Sequence, residues 1–437
     1  MKKTKALLLC LVTIVLAFSV AGCGNSEESS GSGSDKEKVE IRFSWWGDTK
    51  RNEVYNSIVD KFEEKHPNIT VKREFGGWND YWEKLATQIA GGNAPDVVSM
   101  HQFYVSEYAR KNALLDLNEY VKSGVINLDQ FPEPVIESGQ LDDKTLMVAK
   151  GVTMSGVVYN TGLFDKLGVK YPDMNWTWED FAAKAIEVDK ALNTDDTWGA
   201  DDLSGNFQQE FRYFVRQNGK DLFNDNGEIA FGKEDLIEWF TMWDKLRKQG
   251  AIPDAETTAE YPENIALEQS LFIRGKTGIS FIPVNRLYLY QQQIKDGEVH
   301  EVRIPTKSGG KNGEFIEGAY LSVSAKTKHP KEAAEFINFF VNEKEALKRF
   351  KVEQGPPANK KMMEEVVVPL LEPAQKRTVD FVQETVQHAE RAPYAPSGVN
   401  EIETAFKDTA SAIAFGKTSI KDGANKFMKD AKAVLKK

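Results

Sequence analysis

Val39-Glu-Ile-Arg-Phe-Ser-Trp45 sets its apolar side chains at 39, 41, 43 and 45, and a regular succession of segments follows it as far as Met100. Strict alternation over that length is the pattern of a strand. Residues 53–65 then carry Val54, Ile58 and Phe62 on one helical stripe, and Pro67 stops the helix. Residues 69–75 read as a second strand. Residues 78–90 read as a second helix, with Trp78, Trp82, Leu85 and Ile89 on one face. A short apolar strand, 96–100, follows Gly91-Gly92 and Pro95. Strand, helix, strand, helix, strand predicts a mostly parallel α/β sheet.

Outward from this block the pattern persists. Residues 114–121 read as helical, and 146–160 contain an extended run ending in Gly156-Val-Val-Tyr-Asn160. Thr177-Trp-Glu-Asp180 is a capping box, with Thr177 at the N-cap, and it opens a helix to about residue 191. Residues 234–249 form a Trp- and Phe-rich helix ended by Gly250, and 275–283 a glycine turn into a buried strand. Pro330 suits the first turn of a helix to about 341. From about 361 the chain reads as helical, broken by a loop at Pro393, Pro396 and Gly398. No repeat of solenoid period is present.

The first residues are a processing signal. Lys2, Lys3 and Lys5 precede the apolar stretch 6–20, which is short for a membrane span, and Val20-Ala-Gly-Cys23 ends it. Small residues before a cysteine are what a lipoprotein signal peptidase requires, so 1–22 is read as signal peptide and Cys23 as the lipidation site. The rest of 23–38 is mainly Ser, Gly, Glu and Lys, the composition of a flexible tether. Acyl chains on Cys23 would anchor the protein to the membrane. Sixty-six acidic residues face 56 basic ones, three of the latter inside the signal, which argues against nucleic acid or anionic lipid as partner. Cys10 leaves with the signal and Cys23 is modified, so no disulfide and no cysteine-based metal site is expected. A chain of this length exceeds one comfortable core, and two lobes are expected.

Several segments, in order, resemble one large family. They are Phe43-Ser-Trp-Trp-Gly47, Phe62-Glu-Glu-Lys-His-Pro-Asn-Ile-Thr-Val71, Ala94-Pro-Asp-Val-Val98, Gly156-Val-Val-Tyr-Asn160 with Leu163-Phe-Asp-Lys-Leu-Gly168, and Trp176-Thr-Trp-Glu-Asp-Phe181. Gly275-Lys-Thr-Gly-Ile-Ser280, the stretch from Lys328-His-Pro-Lys to Phe340, and Gln354-Gly-Pro-Pro-Ala358 complete them. Together they resemble the extracellular solute-binding proteins of ABC sugar importers, which include maltodextrin- and multiple-sugar-binding lipoproteins. Trp45-Trp-Gly47, Trp78-Asn-Asp-Tyr-Trp82 and Asn175-Trp-Thr-Trp-Glu-Asp180 are similar, more narrowly, to Gram-positive lipoproteins for pectic, rhamnogalacturonan-derived oligosaccharides.

The resemblance implies an α/β, two-lobe periplasmic-binding-protein-like fold with a ligand cleft at a hinge. Lobe one would be 39–152 plus 311–352 and lobe two 153–310 plus 353–437, with crossings near Thr153, Gly310 and Val352. It implies a monomeric, non-catalytic carrier on the extracellular face of the cell membrane. Its partners would be an oligosaccharide of plant cell-wall type and the transmembrane subunits of an ABC permease, with no cofactor and no metal.

A sugar ring offers an apolar face to aromatic side chains and a hydroxyl rim to hydrogen-bonding ones. Ligands of open α/β sheets sit beyond the carboxyl ends of strands. That rule selects Trp46 and Asp48 after the first strand, Trp78 after the second, and His101 and Gln102 after the third. The family resemblance adds Thr153, Phe207, Gln208, Asn285, Arg286, Gly318, Tyr320 and Tyr394 by position. Trp45, Trp82, Trp176, Trp198, Trp239 and Trp243 are read as packing. Arg286 would fork onto a uronate carboxylate if the ligand is acidic. Two rival readings are a secreted glycoside hydrolase, which needs only a suitably spaced carboxylate pair, and a same-fold carrier of a non-sugar solute such as a polyamine. No G-x-S-x-G or H-E-x-x-H motif is present.

Overall fold

The computed structural model describes residues 38–262 and 265–436. The expected signal peptide 1–22, the expected lipidation site Cys23 and the expected tether up to residue 37 lie outside the described residues. Nine strands build two main sheets: β1 (Val39–Trp46), β2 (Ile69–Gly76), β3 (Val97–His101), β4 (Val148–Gly151), β5 (Ser155–Asn160), β6 (Trp198–Ala200), β7 (Thr277–Pro283), β8 (Val299–Val302) and β9 (Ala319–Val323). The first sheet has the order β2-β1-β3-β9-β4 and the second the order β8-β5-β7-β6. This is the two-lobe α/β architecture. Ile41, Phe43 and Trp45 are fully buried, as their alternation requires, but Ser44 and Trp46 are buried too. Parallel strands at the centre of a sheet are covered on both faces.

The helices follow the sequence pattern with shifted ends. α1 spans Thr49–Lys65 and starts before residue 53 because the Asp48 side chain accepts from Arg51 N at 2.9 Å and caps it. α2 is Trp78–Ala90 and α3 Gln102–Arg110. The helix expected at 114–121 shrinks to Asn118–Lys122, because Leu114 bridges Ser324 beside the first sheet instead. α4 is Trp178–Leu192, opened by the Thr177–Asp180 capping box, and α5 is Lys233–Lys248. α6 is Leu287–Gln293 and α7 Pro330–Asn342. α8 (Pro373–Val386), α9 (Val399–Ala414) and α10 (Ile420–Val434) complete the set used below. One aromatic core, with Phe43, Tyr55, Phe62, Phe336 and Phe340, lies under the first sheet. Another, with Phe181, Trp239, Trp243, Phe281 and Phe406, lies under the second. Trp45, Trp82, Trp176, Trp239 and Trp243 are buried in these cores.

Strand direction locates the working edges. In the first sheet β9 alone runs against its neighbours, and in the second β5 does. Each is the strand on which the chain arrives from the other sheet. A strand entering where its neighbours' carboxyl ends finish must run opposite to them. The carboxyl edges of both sheets therefore lie at the chain crossings.

Two crossings differ from the sequence expectation. Residues 311–315 do not return to the first lobe: Lys311 N donates to Gln217 O at 3.0 Å, Glu314 pairs with Arg303 at 2.5 Å, and Phe315 belongs to the second core. The return falls at 316–318. Likewise, 353–371 does not open the second lobe. Lys360 N donates to Gln130 O at 3.0 Å, and Asn359 Nδ2 to Asn342 Oδ1 at 2.7 Å, so this stretch stays with the first lobe. α8 makes the passage instead, with Phe381 in the first core and Ala374 packed beside Ile282 and Leu287. Periodicity locates strands and helices, whereas irregular stretches carry no signal of the sheet they lie against.

The first crossing touches both the return at 316–318 and the first-lobe stretch 353–371. Val152 N donates to Pro356 O at 2.8 Å, and Glu317 N to Thr153 O at 2.9 Å. Gly355 has φ +98°, and a Cβ there would stand 2.1 Å from Val152 O. Only glycine meets both demands.

Candidate functional site

The carboxyl edge of the first sheet is paved with aromatic rings. Trp46 ends β1, Trp78 begins α2 just after β2, and His101 ends β3. The Trp78 ring meets Trp46 edge-on at 5.1 Å, Trp82 at 5.4 Å and His101 at 5.4 Å. Tyr104 stacks on Trp82 at 3.9 Å with planes 13° apart. Trp46 is only 6% exposed, but Trp78 remains 37% exposed, an unusual state for an indole. The cluster therefore holds Trp78 from behind and leaves ring surface free.

A buried lysine sits under this floor. Lys150, 1% exposed, donates to Ser99 Oγ at 2.7 Å, and its Nζ lies 5.2 Å from the Trp46 ring and 4.9 Å from Tyr55. Burial and the nearby Arg51 charge push its pKa well below the usual lysine range. Desolvation, with the Lys150 charge beside it, lowers His101 from 6.5 to about 3. His101 Nδ1 accepts from Phe103 N at 3.4 Å, which leaves the neutral ring's proton on Nε2. Below pH 6.5 the unfolded chain binds a proton that folded His101 refuses, so this group's contribution to stability falls as pH drops towards 3. His101 is expected to stay neutral from pH 5 to 8, and its imidazole resonances in an NMR titration to stay still over that range.

The other candidates are placed as follows. Thr153 lies on the first crossing, and its hydroxyl donates to Asn285 Oδ1 at 3.1 Å. Arg286 is half-buried on the turn after β7. Gly318 immediately precedes β9, and a Cβ there would be 2.6 Å from Gly151 O. With its amide nitrogen turned to the carbonyls, Gln102 donates to both Glu317 O and Gly318 O at 3.1 Å. Gln208 donates to Glu403 Oε2 on α9 at 2.6 Å, and Tyr394 to Ser138 O at 2.6 Å. Gln102, Gln208 and Tyr394, from three distant segments, line one cavity of about 20 Å³, enough for a single water.

Three candidates have other employment here. Asp48 is the N-cap of α1. Phe207 is fully buried among Phe211, Phe231, Phe406 and Phe427. Tyr320 is fully buried with its hydroxyl on Ser138 Oγ at 3.0 Å. Asp48 is taken by a local cap, whereas Phe207 and Tyr320 are occupied by partners distant in sequence, which spacing alone does not reveal.

The structure also brings in residues that spacing did not single out. Tyr104 joins the aromatic floor and Lys150 supports it. Glu353 pairs with Arg51 at 3.0 Å, and burial beside this carboxylate pushes Tyr288 on α6 up to about 12. Glu317 accepts from Ser155 N at 2.8 Å, Tyr213 OH at 3.0 Å and Gln209 Nε2 at 3.0 Å. Tyr104, one turn beyond His101, was the most legible of these from sequence.

Comparison with known proteins settles the family. Residues 46–347 match the bacterial extracellular solute-binding protein family. The chain belongs to it. The Multiple sugar-binding protein of Streptococcus mutans is 24% identical to this family member over 372 residues, covering 80% of this chain and 82% of that protein. A solved family 1 extracellular solute-binding protein from Alicyclobacillus acidocaldarius is 28% identical, with TM-score 0.75 over 92% of this chain and all of that one. An oligogalacturonide-binding protein from Yersinia enterocolitica, solved with saturated digalacturonic acid, shares the fold at 24% identity and TM-score 0.78, covering 91% and 99% of the two chains. As a solute-binding protein of this family, the chain works outside the cytoplasm.

Proposed function

We propose that this protein is the lipid-anchored capture component of an ABC sugar importer, binding an oligosaccharide between its lobes and presenting it to the permease. The observation that carries the reading is the aromatic floor at the first carboxyl edge, with the part-exposed Trp78 ring backed by Trp46, Trp82 and His101. Across the cleft the second lobe offers Gln208, Asn285 and Arg286 for the sugar rim. Contacts to both lobes form only on closure, so ligand favours the closed state. The sugar-binding relatives support this ligand class, and Arg286 suits a uronate-bearing member of it.

Two de novo designed esterases share this fold, so architecture alone does not decide against chemistry. The carboxylates near the crossings favour a carrier. Glu317 holds three donors, Glu353 is paired with Arg51, and Glu403 accepts from Gln208. Carboxylates committed in this way are poorly placed to act as general acid and base on a glycosidic bond.

The test is calorimetric titration and thermal unfolding against a broad panel of neutral and acidic oligosaccharides, followed by mass analysis of the recovered sugar. A raised melting temperature with intact sugar is expected for the carrier. Fragments would identify a hydrolase, and a panel without any shift would overturn the reading. Cys23→Ser should release the protein from the cell surface.

A further inference from the structure

The second lobe by itself walls a cavity of about 380 Å³, inside the range of roughly 300–1,000 Å³ typical of ligand pockets. The loop after β6, Phe281 on β7, Tyr290 on α6, and Lys407, Ser411 and Phe415 along α9 and its C-cap line it. Glu403, Lys407, Ser411 and Phe415 recur at every fourth residue and so share one face of the helix. Glu403 heads that stripe and is the residue that holds Gln208. On the opposite wall, Tyr290 follows Arg286 by one helical turn, and the Arg286 charge acts on it. Two helices thus link the cavity to candidate-site residues: α9 leads from Lys407 back to Glu403, which holds Gln208, and α6 from Tyr290 back towards Arg286. At the C-cap of α9 Phe415 is 40% exposed, one of four large aromatic side chains, with Phe75, Trp78 and Tyr171, left in solvent among the described residues.

We propose that this cavity is a chain-end subsite, which takes the terminal pyranose of an oligosaccharide whose inner rings rest on Trp78. The inference rests on the sugar-carrier reading and deepens it. Phe415 offers a face to the C–H side of the ring, and Ser411 and Lys407 offer donors to its hydroxyls. Because every wall belongs to the second lobe, the subsite exists whether the hinge is open or closed. It therefore adds little to closure and sets instead which chain length is captured.

The test titrates the full-length protein with di-, tetra- and hexasaccharides of two series, oligogalacturonides and malto-oligosaccharides. The wild type should bind the hexasaccharide of its preferred series about tenfold tighter than the disaccharide, equivalent to about 1.4 kcal/mol. Ser411→Trp fills the cavity from an exposed helix position, and Phe415→Ala removes the ring. Both should erase the length preference while leaving disaccharide affinity within about twofold of wild type. Loss of affinity for all lengths alike, or an intact length preference in both variants, overturns the subsite. A wild type that binds sugar with no length dependence also overturns it and leaves the carrier reading standing. A wild type that binds neither series overturns the subsite along with the sugar reading of the cleft for these two classes.

Discussion

Trp78→Ala should weaken oligosaccharide binding by about a hundredfold, or about 2.7 kcal/mol, with little loss of fold stability. The ring stands at the first residue of α2 and is 37% exposed, so its removal leaves no sealed cavity. Its contacts with Trp46, Trp82, His101 and Tyr104 are mostly edge-on, at 5.1–5.8 Å, and fix its orientation without covering it. A pre-set indole costs little side-chain entropy when a sugar stacks on it. Trp46→Ala makes the contrast. At 6% exposure its loss should cost about 3–5 kcal/mol of stability, so a binding defect there would be confounded by unfolding. Calorimetric titration and denaturant unfolding of both variants separate the two roles. Wild-type affinity in Trp78→Ala would remove the ring from the site.

Asp221→Ala should also be strongly destabilising, by about 3–5 kcal/mol in urea unfolding, because it strips the counter-ion from two buried guanidiniums. Asp221 takes Arg212 Nε on one oxygen at 2.8 Å and Arg216 on the other at 2.5 Å, with all three side chains 6–7% exposed. The arginines reach onward. Arg212 donates to Pro393 O at 2.6 Å, and Arg216 to Glu390 O at 3.1 Å and Gly313 O at 3.0 Å. The irregular chain between α8 and α9 is thus tied down by this triad. That chain carries Tyr394, bonded to Ser138 of the first lobe. A loosened strap should weaken ligand binding as well, and Asp221→Asn should fall between the two because it keeps acceptor capacity on one atom. A loss of less than about 1 kcal/mol in Asp221→Ala would mean that water replaces the carboxylate.

Much of the scaffold was legible before folding. The alternation in 39–45, the Val54-Ile58-Phe62 stripe and the Thr177–Asp180 box all name elements whose stability is local, and each is present. Their ends were less legible. Asp48 looked like a ligand residue because it follows a strand, yet a cap at the same place lengthens α1. The irregular stretches 311–315 and 353–371 were assigned to the wrong sheet, since nothing in their composition reports a hydrogen bond to Gln217 or Gln130.

The candidate site divides in the same way. Trp46, Trp78 and His101 followed from strand ends, because a sheet's carboxyl edge is written into the order of its elements. Lys150, Glu317, Glu403 and the stripe from Lys407 to Phe415 did not. Each takes its meaning from a partner tens or hundreds of residues away, such as Ser99, Tyr213 or Gln208. The amino-acid order by itself therefore determined the α/β alternation, the family and the aromatic edge, all properties of short windows with a period or a terminus. Only the tertiary structure decided which side chains keep a free face. Exposure is a property of packing between segments, and so Trp78 stays available while Phe207 and Tyr320 are enclosed.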